Sequence, residues 1–328
     1  MNSIFKNDIL KISICVPIYG VENYIEKCAR SLFEQTYSNI EYIFVDDGSP
    51  DQSIGKLKLV INDYPERFKY IKIITHTNNR GLAAARNTSI AHATGDFILC
   101  VDADDSIDTH LVEKLVAKQQ EKDADIVCFD IKVLFNNRVD YIKNGDYING
   151  RDLLSKMLVR DAPHPIWGHL IRRSILTDNK IQCVEGVNQS EDYQVMIQIA
   201  YFANIVTTLH EALYIYNMKR DSSYSNSLSE NSFMQMETTA DILNSFFIKH
   251  NEIELAERMY IGIIINLCRT KMGMCESRNW KMYDLVCQKI EKYKPRLKQT
   301  LPFKYILLSE IKTPRFFKYL ICLRKIKK

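Results

Sequence analysis

Three carboxylates stand within four positions at Asp102, Asp104 and Asp105, directly after the apolar run Phe97-Ile98-Leu99-Cys100-Val101. Adjacent like charges resist one another's ionisation, so packing does not account for the cluster. A divalent cation removes that penalty. Oxygen-only ligands point to Mg²⁺ or Mn²⁺, usually held by one or two protein carboxylates together with substrate phosphates. The same acids also suit a solvated loop after a strand, or a helix N-terminus, which favours negative charge. A second apolar run, Glu41-Tyr42-Ile43-Phe44-Val45, ends in Asp46-Asp47-Gly48-Ser49-Pro50-Asp51. Between the two lies Asn78-Asn79-Arg80-Gly81-Leu82-Ala83-Ala84-Ala85-Arg86-Asn87, a polar turn running into a small-residue helix. Gly81 permits close backbone approach. Arg86, emerging from an apolar stretch, is a candidate ligand for a diphosphate or a partner for the nearby acids.

Acids at strand ends require a sheet to carry them. Ile12–Tyr19 is a further apolar strand, with Pro17 near its end, where a missing N–H is better tolerated than mid-strand. Tyr24, Ile25, Cys28, Ala29, Leu32 and Phe33 then recur at helical spacing, which predicts one buried stripe. Further helices are predicted near residues 52–63, 81–93 and 111–122, alternating with strands near 70–75, 96–101 and 125–134. An open α/β sheet binds ligands in the crevice beyond the carboxyl ends of its strands, and the acids fall there. Past residue 140 the rhythm loosens. Asn149 suits the cap of a helix through Val159, Glu191–Phe202 reads as another helix, and short strands are predicted at Ile205–Leu209 and Ala212–Asn217. From about Ser229 the patterns are helical. The division is a mixed α/β domain over residues 1–225 and a helical extension over 226–328.

With 46% apolar and 26% charged residues, the 328-residue chain can bury a sizeable core. Nine scattered cysteines form no C-x-x-C pair and no zinc-finger spacing, which predicts buried thiols in a reduced, cytoplasmic setting. Met1–Lys11 lacks the pattern of a signal peptide, and no apolar run reaches the length of a membrane span. The net charge of +4 belongs to the tail: Lys312–Lys328 holds seven Lys or Arg and no acid, leaving −3 elsewhere. Nucleic-acid binding by the main domain is therefore disfavoured, since a basic face is its usual footprint. The tail Pro314–Lys328 pairs apolar bulk with basic flanks, which suits attachment to anionic lipid at an inner membrane surface. Arg324 and Lys327 intrude on the Phe316/Leu320 side at helical spacing, so a helix packed on its own domain, or a frayed basic end, suits it equally.

In order along the chain stand Pro17-Ile18-Tyr19, Val45-Asp46-Asp47-Gly48-Ser49, Asn79-x-Gly81-x-x-x-x-Arg86-Asn87 and Asp102-x-Asp104-Asp105. Further on come Trp167-Gly168-His169-Leu170, Glu191-Asp192 and Tyr216-x-x-x-Arg220-x-Ser222. Each motif is short, but the ordered set over residues 10 to 225 resembles the family 2 glycosyltransferases with the GT-A fold. The resemblance implies a nucleotide-binding mixed sheet flanked by helices, with a C-terminal helical extension.

It also implies roles. Pro17, Tyr19 and Asp46 would line a nucleotide base, and Asn79 would belong to the same nucleotide site. Asp102 would contact the ribose, and Asp104 would hold Mn²⁺ or Mg²⁺ at the diphosphate, with Arg86 adding positive charge. Asp47 and Asp105 would either join them or support the loops. Asp192 would act as the base of an inverting transfer, tuned by Glu191; on spacing alone the pair also reads as a first helical turn capped by Ser190. Arg220 and Ser222 would lie on a loop closing over the donor. His210 would reach the metal, as a His does in some relatives, or be structural, and Trp167 would stack on a sugar or anchor the core. The expected activity is transfer of a sugar from a nucleotide diphosphate, UDP-linked, to a hydroxyl of a glycan or lipid-linked saccharide in surface polysaccharide biosynthesis. The rivals are a nucleotidyltransferase acting on sugar phosphates and a membrane-tethered, non-catalytic nucleotide-sugar binding module. A dinucleotide dehydrogenase and P-loop chemistry are disfavoured, since neither G-x-G-x-x-G after the first strand nor G-x-x-x-x-G-K-[ST] occurs.

Overall fold

The continuous apolar runs become β1 (Ile12–Ile18) and β2 (Ile40–Asp46), every residue of which is buried, as in strands covered on both faces. The computed structural model describes residues 9–219, 229–277, 279–297 and 301–310. The basic tail, Arg220 and Ser222 lie outside these. Helix α1 (Ile25–Phe33) buries Ile25, Cys28, Ala29, Leu32 and Phe33, the stripe its spacing predicts. After it come α2 (Ser53–Asn62), β3 (Ile71–Thr75), α3 (Leu82–His92), β4 (Phe97–Cys100), β5 (Ser106–Ile107), α4 (Leu111–Lys122), β6 (Ile126–Leu134) and β7 (Val139–Ile142). The order continues with α5 (Gly150–Leu158), β8 (His169–Arg172), α6 (Arg173–Asp178), α7 (Glu191–Phe202) and β9 (Val206–Asn217).

Among the described residues these strands form one nine-stranded sheet, ordered β3-β2-β1-β4-β8-β6-β9-β5, with β7 on β6. Strands β3, β2, β1 and β4 are parallel. Strand β8 runs antiparallel to both β4 and β6, and β9 runs parallel to β6. Strands β2 and β3 are added on one side of β1, and the chain then crosses back to place β4 on the other, so the strand order reverses at β1 and the ligand crevice of such a sheet lies at the carboxyl ends there. Pro17 fits there for a specific reason. The Cys15 carbonyl accepts the Val101 N–H (3.0 Å), so residues of that parity face β4. Strand β4 ends at Cys100, and the missing Pro17 N–H costs no ladder bond.

Two expectations need correction. Ile205–Leu209 and Ala212–Asn217 are one strand, β9, whose register on β6 shifts between Phe129 and Ile131. Such a bulge breaks the two-residue alternation and makes one strand read as two. Strands β5, β7 and β8 escaped prediction because two to four residues are too short to show a period.

By compactness the chain divides into Met1–Leu154 with Pro163–Leu228, and Ser155–Ala162 with Ser229–Lys328. The second unit carries α8 (Glu230–Lys249), α9 (Ile253–Glu276), α10 (Trp280–Tyr293) and α11 (Phe303–Glu310). Gly262 allows α9 to lie against the end of α5, because a Cβ there would sit 1.7 Å from the Leu158 carbonyl oxygen. Among the described residues, no helix is long and apolar enough to cross a membrane. Cys15, Cys28, Cys100, Cys128, Cys183, Cys268 and Cys275 are buried cysteines.

At the amino ends of the strands, buried Glu41 accepts from Ser13 Oγ (2.6 Å), Lys11 Nζ (2.9 Å) and the Thr94 N–H (2.6 Å). Burial alone would raise its pKa, but these donors hold it down at about 2. Glu41→Gln is therefore expected to cost about 3 kcal/mol at pH 7. The folded pKa lies below the unfolded value near 4.3, so the wild-type advantage is present above that value and disappears as the pH falls towards 2. Urea midpoints of the two proteins should converge across that window.

Candidate active site

The turn after β2 is built by its two acids. Asp46 Oδ1 accepts the Ser49 N–H (2.8 Å), closing a turn on its own side chain. Asp47 Oδ1 accepts the Arg80 N–H (2.9 Å) and meets His76 Nδ1 (2.7 Å), while Oδ2 accepts the Gly81 N–H (2.7 Å). Asp47 is thus the staple that holds the 76–81 loop against the β2 end, the supporting one of its two readings. Asn79 sits on this loop, exposed, with its backbone against Gly48. Tyr19 follows β1 and remains 46% exposed, so one ring face is open to a ligand.

The loop delivers the chain into α3, whose buried Ala83, Ala84 and Ala85 let it lie close on β1 and β2. Gly81 has φ +90°, and a Cβ there would stand 2.5 Å from Asn188 Nδ2. Asn188 Oδ1 in turn accepts the Ala83 N–H (3.1 Å). One helical turn further on, the Asn87 side chain exchanges two hydrogen bonds with the Cys183 backbone, both 2.8 Å. These bonds fasten the 183–190 segment to α3 and so fix where α7 begins.

Arg86 occupies the centre. It is 1% exposed, with Nη1 3.2 Å from Asp102 Oδ1, and Nη2 3.4 Å from Asp192 Oδ1 and 3.7 Å from Glu191 Oε1. One guanidinium therefore gathers carboxylates from the end of β4 and the start of α7. Among the described residues, the ion pairs leave Arg86 Nε and Nη1, Asp102 Oδ1 and Asp192 Oδ1 buried without hydrogen-bond partners. Such orphaned polar atoms are rare in folded proteins, and a cluster of them marks where ligand groups complete the bonding. Three acids facing one cation also leave excess negative charge. Burial and Asp192 push the Glu191 carboxyl up against the pull of Arg86. Burial pushes Asp192 up as well, opposed by Arg86, supported by Asp102 and opposed again by an N–H from Ile166.

The capping alternative for this pair does not hold. Ser190 precedes α7 with φ 93° and makes no side-chain cap bond, and Glu191 is buried and Asp192 half-buried rather than solvated. A serine in the left-handed region is strained by about 1–3 kcal/mol and persists only where its surroundings impose it.

At the β4 end, Asp105 accepts from Tyr214 Oη and from the Asn217 N–H, both 2.7 Å. Burial, with Asp104 and Asp102 next to it, raises its pKa well above the carboxylate range. Asp105 is a structural acid that ties this turn to β9. Asp104 is half-buried, and its carbonyl accepts from Asn217 Nδ2 (3.3 Å). Among the described residues, no three His, Cys, Asp or Glu side chains form a cage for a metal ion. The donor set instead fits Mg²⁺ or Mn²⁺ held by one or two carboxylates, with phosphate oxygens completing the shell.

His210 is not brought to this group. Its Nε2 is 3.0 Å from Asp146 Oδ1 and its Nδ1 3.9 Å from Asp130 Oδ1. It precedes Asn217, which touches Asp104, by seven positions of β9, or roughly 23 Å of extended strand. Trp167 is buried, stacked on Tyr214 with centroids 4.9 Å apart and tilted against Tyr216 at the same distance, which is the core-anchoring role. Asn188 and the Ile166 N–H were not singled out in the sequence, since their contacts join segments far apart in the chain.

A profile of the Glycosyl transferase family 2 matches residues 13–179, half of the chain, and the chain belongs to that family. It is 33% identical over 219 residues to the uncharacterized glycosyltransferase EpsJ of Bacillus subtilis (strain 168), covering 64% of this chain and 62% of EpsJ. It is 30% identical over 258 residues to the poly(ribitol-phosphate) beta-glucosyltransferase of Bacillus spizizenii, covering 76% of this chain and 38% of that protein. The chain thus spans less than two thirds of the length of either relative. The structure of Staphylococcus aureus TarS 1-349 in complex with UDP-GlcNAc has a TM-score of 0.69 at 21% identity, over 94% of this chain and 87% of that one. The shared fold is the GT-A arrangement, a mixed sheet flanked by helices with helices at the C-terminal end.

Proposed function

We propose that the chain is an inverting, metal-dependent glycosyltransferase of the hexosyl type. It moves a sugar from a UDP-linked donor to a hydroxyl of a growing glycan or lipid-linked saccharide. The observation that carries this reading is the convergence of Asp102, Glu191 and Asp192 on the buried guanidinium of Arg86. Family membership supports sugar transfer. The ligand of the TarS complex supports a uridine diphosphate donor, and the polymer named for the Bacillus spizizenii relative supports a surface-polymer hydroxyl as acceptor. The catalytic machinery is assigned to residues 1–225. Residues 226–328 form the helical extension, whose basic tail would meet anionic lipid on the cytoplasmic face of a membrane.

In this mechanism Pro17, Tyr19, Asp46 and Asn79 hold the nucleoside, with Asp46 accepting a ring N–H and Tyr19 stacking. Asp102 takes the ribose. Asp104 would hold Mg²⁺ or Mn²⁺, which would supply positive charge to the departing diphosphate. Arg86 adds fixed positive charge beside it. Asp192 accepts the proton of the acceptor hydroxyl as its oxygen attacks the anomeric carbon. The bond to the diphosphate oxygen breaks on the opposite face, and the configuration inverts. Arg220 and Ser222 are assigned to closing over the donor, which excludes water as a competing acceptor.

Asp104→Ala is expected to abolish transfer and to weaken Mn²⁺-dependent UDP binding by more than roughly tenfold, about 1.4 kcal/mol by calorimetry. Undiminished binding would remove the metal assignment. Release of pyrophosphate instead of UDP by the wild type would make the chain a nucleotidyltransferase.

A further inference from the structure

We propose that His169 is a positioning residue for the Asp192 carboxylate, acting through the peptide group that joins Pro165 to Ile166. This inference rests on the reading of Asp192 as the base.

His169 is the first residue of β8 and is fully buried, paired with Cys128 on β6. Its neighbour Leu170 pairs with Leu99 on β4, so the ring is set by strands on both sides. The ring makes one hydrogen bond, from Nδ1 to the Pro165 carbonyl oxygen at 2.8 Å. A carbonyl oxygen only accepts, so Nδ1 carries the hydrogen and Nε2 holds the lone pair. Among the described residues, Nε2 is buried with no partner. A buried, unpaired ring nitrogen is a cost that an apolar side chain would not incur. What the imidazole contributes in return is an N–H aimed at that one carbonyl.

The same peptide group bears the Ile166 N–H, which donates to Asp192. A trans peptide is planar, with its C=O and N–H pointing in opposite directions. Fixing the carbonyl therefore aims the N–H. The Gly168 N–H also reaches the Pro165 oxygen (3.1 Å) and closes the turn, but it sits on a backbone that can rotate as a unit. His169 is anchored in the sheet and ties that turn to a rigid frame. The chain from ring N–H through the peptide to the carboxylate is also one in which each bond polarises the next. Donation to the charged form favours ionised Asp192. Burial keeps His169 neutral, its pKa lowered to about 4, so the ring holds this tautomer across the working pH range.

The test compares His169→Leu with His169→Asn, whose Nδ2 can donate from nearly the place of Nδ1. His169→Leu should lower kcat roughly 10- to 100-fold, the scale expected for a misplaced catalytic group. Its donor KM should stay within about twofold, and the acid limb of the pH–rate profile should move to higher pH. His169→Asn should restore most of kcat and the wild-type limb. A purely structural ring would lower the folded fraction of both variants and leave the limb in place, and that result would overturn the proposal. Should His169→Leu fail to fold, ¹⁵N spectra of histidine-labelled wild type decide, with His169→Asn identifying the signal. A neutral Nδ1–H tautomer from pH 5 to 8 is expected, and an Nε2–H tautomer or an imidazolium would sink the idea. Asp192→Asn serves as the separate control. If it retains transfer, the assignment of the base fails; if it is inactive while His169→Leu keeps the wild-type profile, only the role of His169 fails.

Discussion

Asp192→Asn is expected to lower the transfer rate by about 10²- to 10⁴-fold, the contribution of a positioned general base, while donor binding persists. Asn keeps the shape of Asp and can still accept the Ile166 N–H, but it cannot take a proton. The same substitution should raise the thermal midpoint. Asp192 and Glu191 both titrate above their unfolded values because burial and neighbouring carboxylates outweigh the pull of Arg86 and of backbone N–H groups. An acid with a raised folded pKa opposes folding once ionised, and that opposition fades as the pH falls through the raised value. Neutral Asn removes the opposition at pH 7. For the wild type the same sign places the acid limb of activity above the ordinary carboxylate range near 4, because the base form is populated only above the raised pKa. Rate and melting should therefore move in opposite directions. A variant that loses both activity and stability would mean that Asp192 holds the fold together rather than accepting a proton.

Why the site could be found in the sequence, and where that stopped, follows from the range of the interactions. Helices α4 and α7 run over Leu111–Lys122 and Glu191–Phe202, the residues their apolar periods predict. Strands β1, β2 and β4 are continuous apolar runs, so their carboxyl ends and the acids there were visible locally. Which acid does what was not. Asp46 and Asp47 are neighbours with the same side chain, yet Asp47 is consumed by N–H groups of Arg80 and Gly81 that reach it only after the chain has passed through β3. Asp104 and Asp105 part company in the same way, because Tyr214 and Asn217 claim Asp105 across a long sequence separation. His210 showed the reverse error: a metal-binding side chain type on a strand that carries it away from Asp104. The pairing of Glu191 and Asp192 with Asp102 through Arg86 has no local signal at all, and only the ordered motifs of the family pointed to it.

Arg86 is where the largest stability effect is expected. Arg86→Met keeps much of the side chain's volume and removes the cation that, among the described residues, stands within ion-pair distance of Asp102, Glu191 and Asp192. A buried pair broken from one side leaves uncompensated charge, which typically costs 3–5 kcal/mol, about the whole margin of a small domain at the upper end. Here one substitution strands three acids, so the cost at pH 7 should reach at least the upper part of that range. It should also depend on pH in the same direction as for Glu41→Gln, shrinking as the pH falls, but in a higher window. Without the guanidinium the Glu191 and Asp192 carboxyls titrate still higher, so lowering the pH from 7 to 5 protonates them in the folded state and relieves the repulsion. Urea midpoints of wild type and Arg86→Met should therefore approach each other at pH 5 and separate at pH 7. Arg86→Lys tests the geometry: an ammonium is a single point charge and cannot face the strand-end acid and the helix-start pair with two separate nitrogens. It should recover part of the stability and little of the transfer, since the diphosphate side and the base side would no longer share one rigid cation. Equal destabilisation by Arg86→Met at both pH values would show that the acids are already neutral in the folded protein, and Arg86 would then be held there by packing rather than by charge.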